Sequence, residues 1–271
     1  MLRPTLSLFL LAGLTAPAVS QSGTVRYDQA VKLEFNLPPN SPMAGRLPRS
    51  NVRPMLLTFT PEMVLFAAAP RDAAADAQRM EMMRDREVVV MRGSGGGGPP
   101  MAIAEGGAVW AFGAGPGFGG GNRQDLLSGA WTNLEDGSFL EVREFLGRTF
   151  RIPVERPGFA WKLTGEQATF LGYTVFQAVA QQDSTSLEAW FTPDIPVPAG
   201  PAQYGGLPGL ILTLTVDSSR VTYTATAIDT TADVGKLKAP TEGSQVTRAE
   251  YDKIVEEKTA EMARMRRGRG N

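Results

Sequence analysis

The sequence predicts a mainly β protein, an antiparallel sheet curved into a half-barrel or sandwich, with a C-terminal helix and a glycine-rich insertion. Three observations predict it. Apolar and polar residues alternate with period two in many short runs separated by turn residues. No helical period intervenes between those runs, which favours antiparallel pairing over a parallel doubly wound sheet. One run with helical spacing closes the chain behind a capping signal.

Residues 1–20 read as a secretory signal. Arg3 is a short basic region, Leu6 to Leu14 an apolar core, and Ala18-Val19-Ser20 a small-x-small cleavage site. The apolar core is about half the ~20 residues that span a bilayer, and no later stretch reaches that length. The mature chain then starts at Gln21 and is exported to the periplasm, the outer membrane or beyond.

Composition excludes several function classes. The chain has no cysteine and no histidine. Disulfides, thiolate nucleophiles, zinc-thiolate sites and Ser-His-Asp triads are therefore closed to it. A formal net charge of −1 gives no bulk attraction to nucleic acid. No catalytic set, metal site or cofactor is expected.

Residues 21–69 and 122–245 are read as one β domain. Gly23 to Phe35 alternates, Leu37 to Pro42 breaks the pattern, and Met55–Thr60 and Met63–Phe66 form two strands about Pro61-Glu62. Residues 70–121 form an insertion, rich first in Ala, Met and Arg and then in glycine. Such a run favours a flexible segment, with short edge strands at Val88–Met91 and Ala108–Phe112. Gly115 to Gly120 spells GxGxxG by low-complexity coincidence, since no helix follows it.

Strand patterns resume at Trp131. They cover Phe139–Phe145, Arg148–Ile152, Phe159–Leu163, Thr169–Ala180 and Ser186–Phe191. Leu210–Val216 and Val221–Ala227 make a hairpin about Asp217–Arg220, with one apolar and one threonine face. Residues 246–271 are the helix and a basic tail. Thr247 and Glu250 form a capping box; Tyr251, Ile254, Val255, Met262 and Met265 follow helical spacing, and Arg264 to Arg269 holds four arginines and no acid.

Tyr204-Gly205-Gly206-Leu207-Pro208-Gly209-Leu210-Ile211 carries a family signature. Upstream stand Phe145–Ile152, Trp161–Glu166, Gly172-Tyr173, and Ala189-Trp190-Phe191-Thr192-Pro193 followed by Ile195-Pro196-Val197; Gly23–Tyr27 fits the usual start. In these motifs the chain resembles the GLPGLI family of exported bacterial proteins, of Bacteroidota type. The resemblance runs from Gly23 to about Ile228, interrupted by the insertion. It implies export and a β-rich fold and brings no settled activity. Members often have cysteine shortly after the glycine-tyrosine pair, where this chain has Val175, so no redox role transfers. The same succession of motifs is similar to envelope lipoprotein-carrier proteins, which is what favours a half-barrel.

Gly206, Pro208, Gly209 and Leu210 form the structural part of the signature. Pro208 fixes φ and Gly209 takes positive φ cheaply, which predicts a type II turn feeding the strand at Leu210. The candidate ligand-binding residues are Trp161, Tyr173, Trp190, Phe191, Tyr204 and Leu207, an aromatic set beside a proline-stiffened rim. The acid pairs Glu135-Asp136 and Glu141/Glu144 are read as solvated surface instead of a hydrolytic dyad. The favoured function is a non-enzymatic envelope protein that binds an apolar small molecule or lipid. An accessory subunit docking on an outer-membrane protein through the insertion and arginine tail is the first alternative. A carboxylate-based hydrolase is the second.

Overall fold

The computed structural model describes residues 21–33, 49–70, 89–91, 101–103, 109–111 and 127–268. Residues 1–20, expected to be a secretory signal, the Leu37–Pro42 break, most of residues 70–121, expected to be an insertion, and the end of the arginine tail lie outside the described residues.

The elements are β1 (Gly23–Lys32), β2 (Ser50–Phe59), β3 (Met63–Ala68), β4 (Val89–Met91), β5 (Met101–Ile103), β6 (Val109–Ala111), β7 (Gly129–Asn133), β8 (Ser138–Phe145), β9 (Arg148–Glu155), β10 (Lys162–Phe170), β11 (Tyr173–Gln182), β12 (Thr185–Thr192), β13 (Leu210–Val216), β14 (Val221–Asp229), β15 (Ser244–Gln245) and α1 (Arg248–Gly268). Twelve strands form one open sheet in the order β10-β11-β12-β13-β14-β1-β2-β3-β7-β8-β9-β15. All pairs are antiparallel except β15, which adds in parallel to β9. The predicted fold class is the observed one. Within the insertion, the edge strands expected near 88–91 and 108–112 are β4 and β6, and the unanticipated β5 pairs with both in a separate sheet.

Curvature follows from connectivity. β9 and β10 are consecutive in sequence but stand ten positions apart in the sheet order. At about 4.8 Å per strand, a flat sheet would hold them roughly 48 Å apart. Residues 156–161 join them and reach about 25 Å at full stretch, so the sheet must curl its two ends toward each other. Register shifts at Arg26/Tyr27, Leu163/Gln167 and Trp190/Phe191 supply local bends.

Cross-strand rows define the concave face. Val25, Leu57, Phe66, Ala130, Glu141 and Ile152 are successive partners across β1, β2, β3, β7, β8 and β9, and none is more than 5% exposed. A second row runs through Ala178, Ala189, Leu214, Tyr223 and Gln29 on β11, β12, β13, β14 and β1. The opposite face of the β13–β14 hairpin carries Thr213, Thr215, Thr222 and Thr224, as the alternation predicts. The register shift at Trp190/Phe191 adds a detail: Ile211 pairs with Phe191 and is buried alongside Leu212.

Two boundaries differ from the sequence reading. The run Thr169–Ala180 is two strands joined at Leu171-Gly172, both with positive φ, the signature of a type I′ hairpin turn. Leu146-Gly147 makes the same turn between β8 and β9. Phe159–Leu163 is not one strand; β10 starts at Lys162. Beyond it, Lys162 to Thr169 are all exposed, and Leu163 is 63% exposed. This sheet edge is blunted by a lysine and by the bulge at Thr164–Glu166.

The helix begins as predicted. The Thr247 amide donates to Glu250 Oε2 at 2.8 Å, and the Glu250 amide donates to Thr247 Oγ1 at 3.2 Å. Arg151 aims the approach by donating to the carbonyls of Pro240 and Gly243, and the Val246 amide donates to Arg151 O. Tyr251 is buried against Phe145, Phe150 and Ile152, with Ile254 and Val255 beside it. Met262 is half-buried and Met265 exposed, so the apolar stripe packs only over the first turns.

Candidate ligand-binding site

Two connections meet at the mouth of the concave face. The first is Arg156 to Ala160, leading into Trp161. Pro157 lacks an amide, so β9 cannot simply run on, and the Trp161 amide turns back to Phe159 O at 3.0 Å. Phe159 and Trp161 thereby stand side by side, with ring centroids 5.7 Å apart.

The second connection is Pro193 to Gly209, between β12 and β13. Ile195, Val197 and Ala199 alternate inward between exposed Pro196 and Pro198. Gly206 and Ile211 amides donate to the Pro198 and Ala199 carbonyls. The predicted type II turn is not what forms at its end. The Gly209 amide donates to Leu207 O at 2.8 Å, closing a tight three-residue turn about Pro208, and the Leu210 amide donates to Ile195 O instead. Glycine is required here: φ at Gly209 is 153°, and a Cβ would sit 2.1 Å from the Thr192 carbonyl oxygen.

An aromatic chain links this mouth to the core. Trp161 touches Phe159, Phe159 touches Tyr204 (5.3 Å), Tyr204 touches Tyr223, Tyr223 touches Phe66, and Phe66 touches Tyr27. Its inner end is locked by Tyr27, which donates to Ile211 O at 2.5 Å, and by Gln29, which donates to Tyr223 Oη at 3.0 Å. Burial pushes the Tyr27, Tyr223 and Tyr204 hydroxyls up in pKa, and at Tyr204 the nearby Arg220 opposes that rise. The outer rings of Phe159, Trp161 and Tyr204 are half-buried. Apolar rings left half-wet at an opening can take up another apolar surface.

Of the six candidate residues, the structure brings Trp161 and Tyr204 together: Phe159 bridges their rings, and Trp161 Nε1 donates to Gly205 O at 2.9 Å. Leu207 is buried in the core. Phe191 is also buried, paired with Phe176. Trp190 faces the other side of β12, where Nε1 donates to Glu188 Oε1 at 3.2 Å. Tyr173 stands apart at the Leu171-Gly172 turn, opposite Phe170. Sequence reasoning misses Arg156, whose Nε donates to Gln203 O at 3.4 Å, and assigns Phe159 only to a strand. Aromatic residues two apart after a Pro-Gly break are the available signal.

A second polar group lies under the helix. Glu141, expected at the surface, is buried on the concave row, because β8 alternation turns it inward while Glu144 faces out. Its Oε2 accepts from Arg143 Nε at 2.8 Å and Arg248 Nη2 at 2.6 Å. Arg143 also lies over the Tyr251 ring, and the Tyr251 hydroxyl is buried with no hydrogen-bond partner among the described residues. A cleft of about 620 Å³ runs alongside, lined by Arg143, Arg248, Tyr251 and the helix face at Val255 and Thr259. The pair Glu135-Asp136 sits in an exposed turn held by Asn133 Oδ1, as expected. Among the described residues no three carboxylates converge into a metal-binding set, and no helix is long and apolar enough to cross a membrane.

No curated protein matches the chain. Two solved structures of PNGF-II, in the P21 and C2 space groups, are similar at 14% identity, with TM-scores of 0.48 and 0.47. They cover 86% and 87% of this chain, which spans 33% of theirs. Residues 180–213 match the model of a Bacteroidota-associated family described as a protein of unknown function (Porph_ging).

Proposed function

We propose that the chain is an exported, non-enzymatic envelope protein of the GLPGLI type, and that the mouth of its concave face binds an apolar small molecule or lipid. The observation that carries this reading is the half-buried Phe159–Trp161–Tyr204 wall, continuous with the buried aromatic chain. The leader-like residues 1–20 support export, and the window 180–213 contains the Ala189–Pro193, Ile195–Val197 and Gly206–Leu212 motifs. On this reading residues 21–69 and 122–245 form one β domain, 70–121 an insertion into it, and 246–271 its helical cap and basic tail.

Native mass spectrometry of the chain, recovered gently from a bacterial envelope, tests the proposal. A reproducible mass excess from a lipid or other amphiphile supports it. A bare chain contradicts it. A chain found only with a second polypeptide also contradicts it, and favours the accessory-subunit reading.

A further inference from the structure

Arg156 stands where the amphiphile reading places its ligand, and it lacks the partner that a partly buried arginine normally has. Its one hydrogen bond among the described residues is the long contact from Nε to Gln203 O, 3.4 Å. No carboxylate among those residues pairs with it. By contrast, Arg143 and Arg248 both pair with the Glu141 carboxylate, and Arg220 pairs with Asp217. A guanidinium has five N–H donors; four of these find no acceptor among the described residues.

The surroundings hold the guanidinium in place. Gly205 has no Cβ, and one added there would lie 2.0 Å from Arg156 Nη2. The charged group therefore lies close against the Gly205 backbone, while Trp161 holds the Gly205 carbonyl. Half-burying a charge without a counter-charge costs free energy that an incoming anion recovers. Burial alone lowers the Arg156 pKa, with no charged neighbour contributing.

We infer that Arg156 is the headgroup anchor of the proposed site, and that the ligand is an anionic amphiphile. Its carboxylate or phosphate is held by the Arg156 guanidinium, and its chain lies along Trp161, Phe159 and Tyr204. This inference rests on the amphiphile reading above. A free fatty acid and a phospholipid headgroup both supply the required anion on an apolar chain.

Three probes of equal chain length separate the cases: laurate, dodecyl phosphate and uncharged monolaurin, each titrated by calorimetry into the full exported chain and into Arg156→Gln and Arg156→Lys. The expected result is that one or both anions bind wild type about tenfold or more tighter than monolaurin, as a charge-assisted contact allows. Arg156→Gln should lose that preference and keep monolaurin binding, and Arg156→Lys should retain part of it. A stronger laurate response marks a carboxylate ligand, and a stronger dodecyl phosphate response a phosphate headgroup. Equal binding of all three probes, or a uniform loss in Arg156→Gln, overturns the anchor and leaves amphiphile binding standing. If no probe binds, both readings fall.

Discussion

The indole of Trp161 donates its hydrogen bond to the carbonyl of Gly205, 2.9 Å away, and so joins the two connections that meet over the concave face. One of these spans from one end of the open twelve-stranded sheet to the other, and the other delivers the chain to the Leu207–Leu210 turn. The candidate site is thus a by-product of how the two ends of the curled sheet are joined: the connection that crosses between them carries Arg156 and the aromatic Phe159 and Trp161.

The two glycines of the turn differ in what they tolerate. Gly206 has φ of 86°, but a methyl group added there would meet none of the described residues within 4 Å, whereas Gly209 is pressed against the Thr192 carbonyl. Gly206→Ala is expected to cost about 1 kcal/mol, through backbone conformation alone. Gly209→Ala is expected to cost about 3 kcal/mol, because the Thr192–Pro193 backbone must move. Urea denaturation of the two variants checks the ranking.

Beneath the helix, removing different atoms should have opposite consequences. Glu141→Gln leaves two arginines without their shared carboxylate and is expected to cost about 2–4 kcal/mol, discounted for the part-exposed Arg248. Tyr251→Phe removes a buried hydroxyl that has no partner among the described residues, and is expected to be neutral or to stabilise by up to ~1 kcal/mol. Thermal unfolding of both variants tests this. Hydrogen exchange at the start of α1 should quicken in Glu141→Gln and stay unchanged in Tyr251→Phe.

The buried phenols set the alkaline limit. Tyr27 and Tyr223 have folded pKa values raised above the ordinary 10.0 by burial. Their contribution is complete below pH 10 and is lost as pH rises above it, since only the unfolded chain then releases those protons. Each tyrosine should remove about 1.4 kcal/mol of stability per pH unit in that range. Ultraviolet titration should show neither phenolate until the chain unfolds, and Tyr27→Phe should flatten the decline.

Most strands are legible because their alternation is a direct consequence of one wet and one dry face, as in Leu210–Val216 and Val221–Ala227. What stays hidden depends on distance or on rare backbone states. Leu171 and Leu146 adopt left-handed conformations, which leucine seldom does, so Gly172 is the one local mark of the turn that splits Thr169–Ala180. The apolar run places the start of β2 at Met55, just after Pro54, yet the strand begins at Ser50, because β3 ends opposite Met55 and only the Pro54 carbonyl is engaged there, accepting from the Ala69 amide, so no Pro54 donor is needed. The β8 alternation turns Glu141 inward beside Arg143, but its second partner, Arg248, is 107 residues away, and no local pattern announces it. Within the candidate site, residue type points to Trp161 and Tyr204, but Trp190 and Phe191 are adjacent on a strand and so face opposite sides.

A ligand seated on the Phe159–Trp161–Tyr204 wall is tested most directly by fluorescence quenching with laurate brominated near its chain end, comparing wild type with Trp161→Phe. Bromine quenches only at short range, and the other tryptophans are Trp110, Trp131 and Trp190. Saturable quenching is expected in wild type and should be mostly lost in Trp161→Phe. Quenching that persists undiminished without Trp161, or none in wild type, would contradict a ligand in that position.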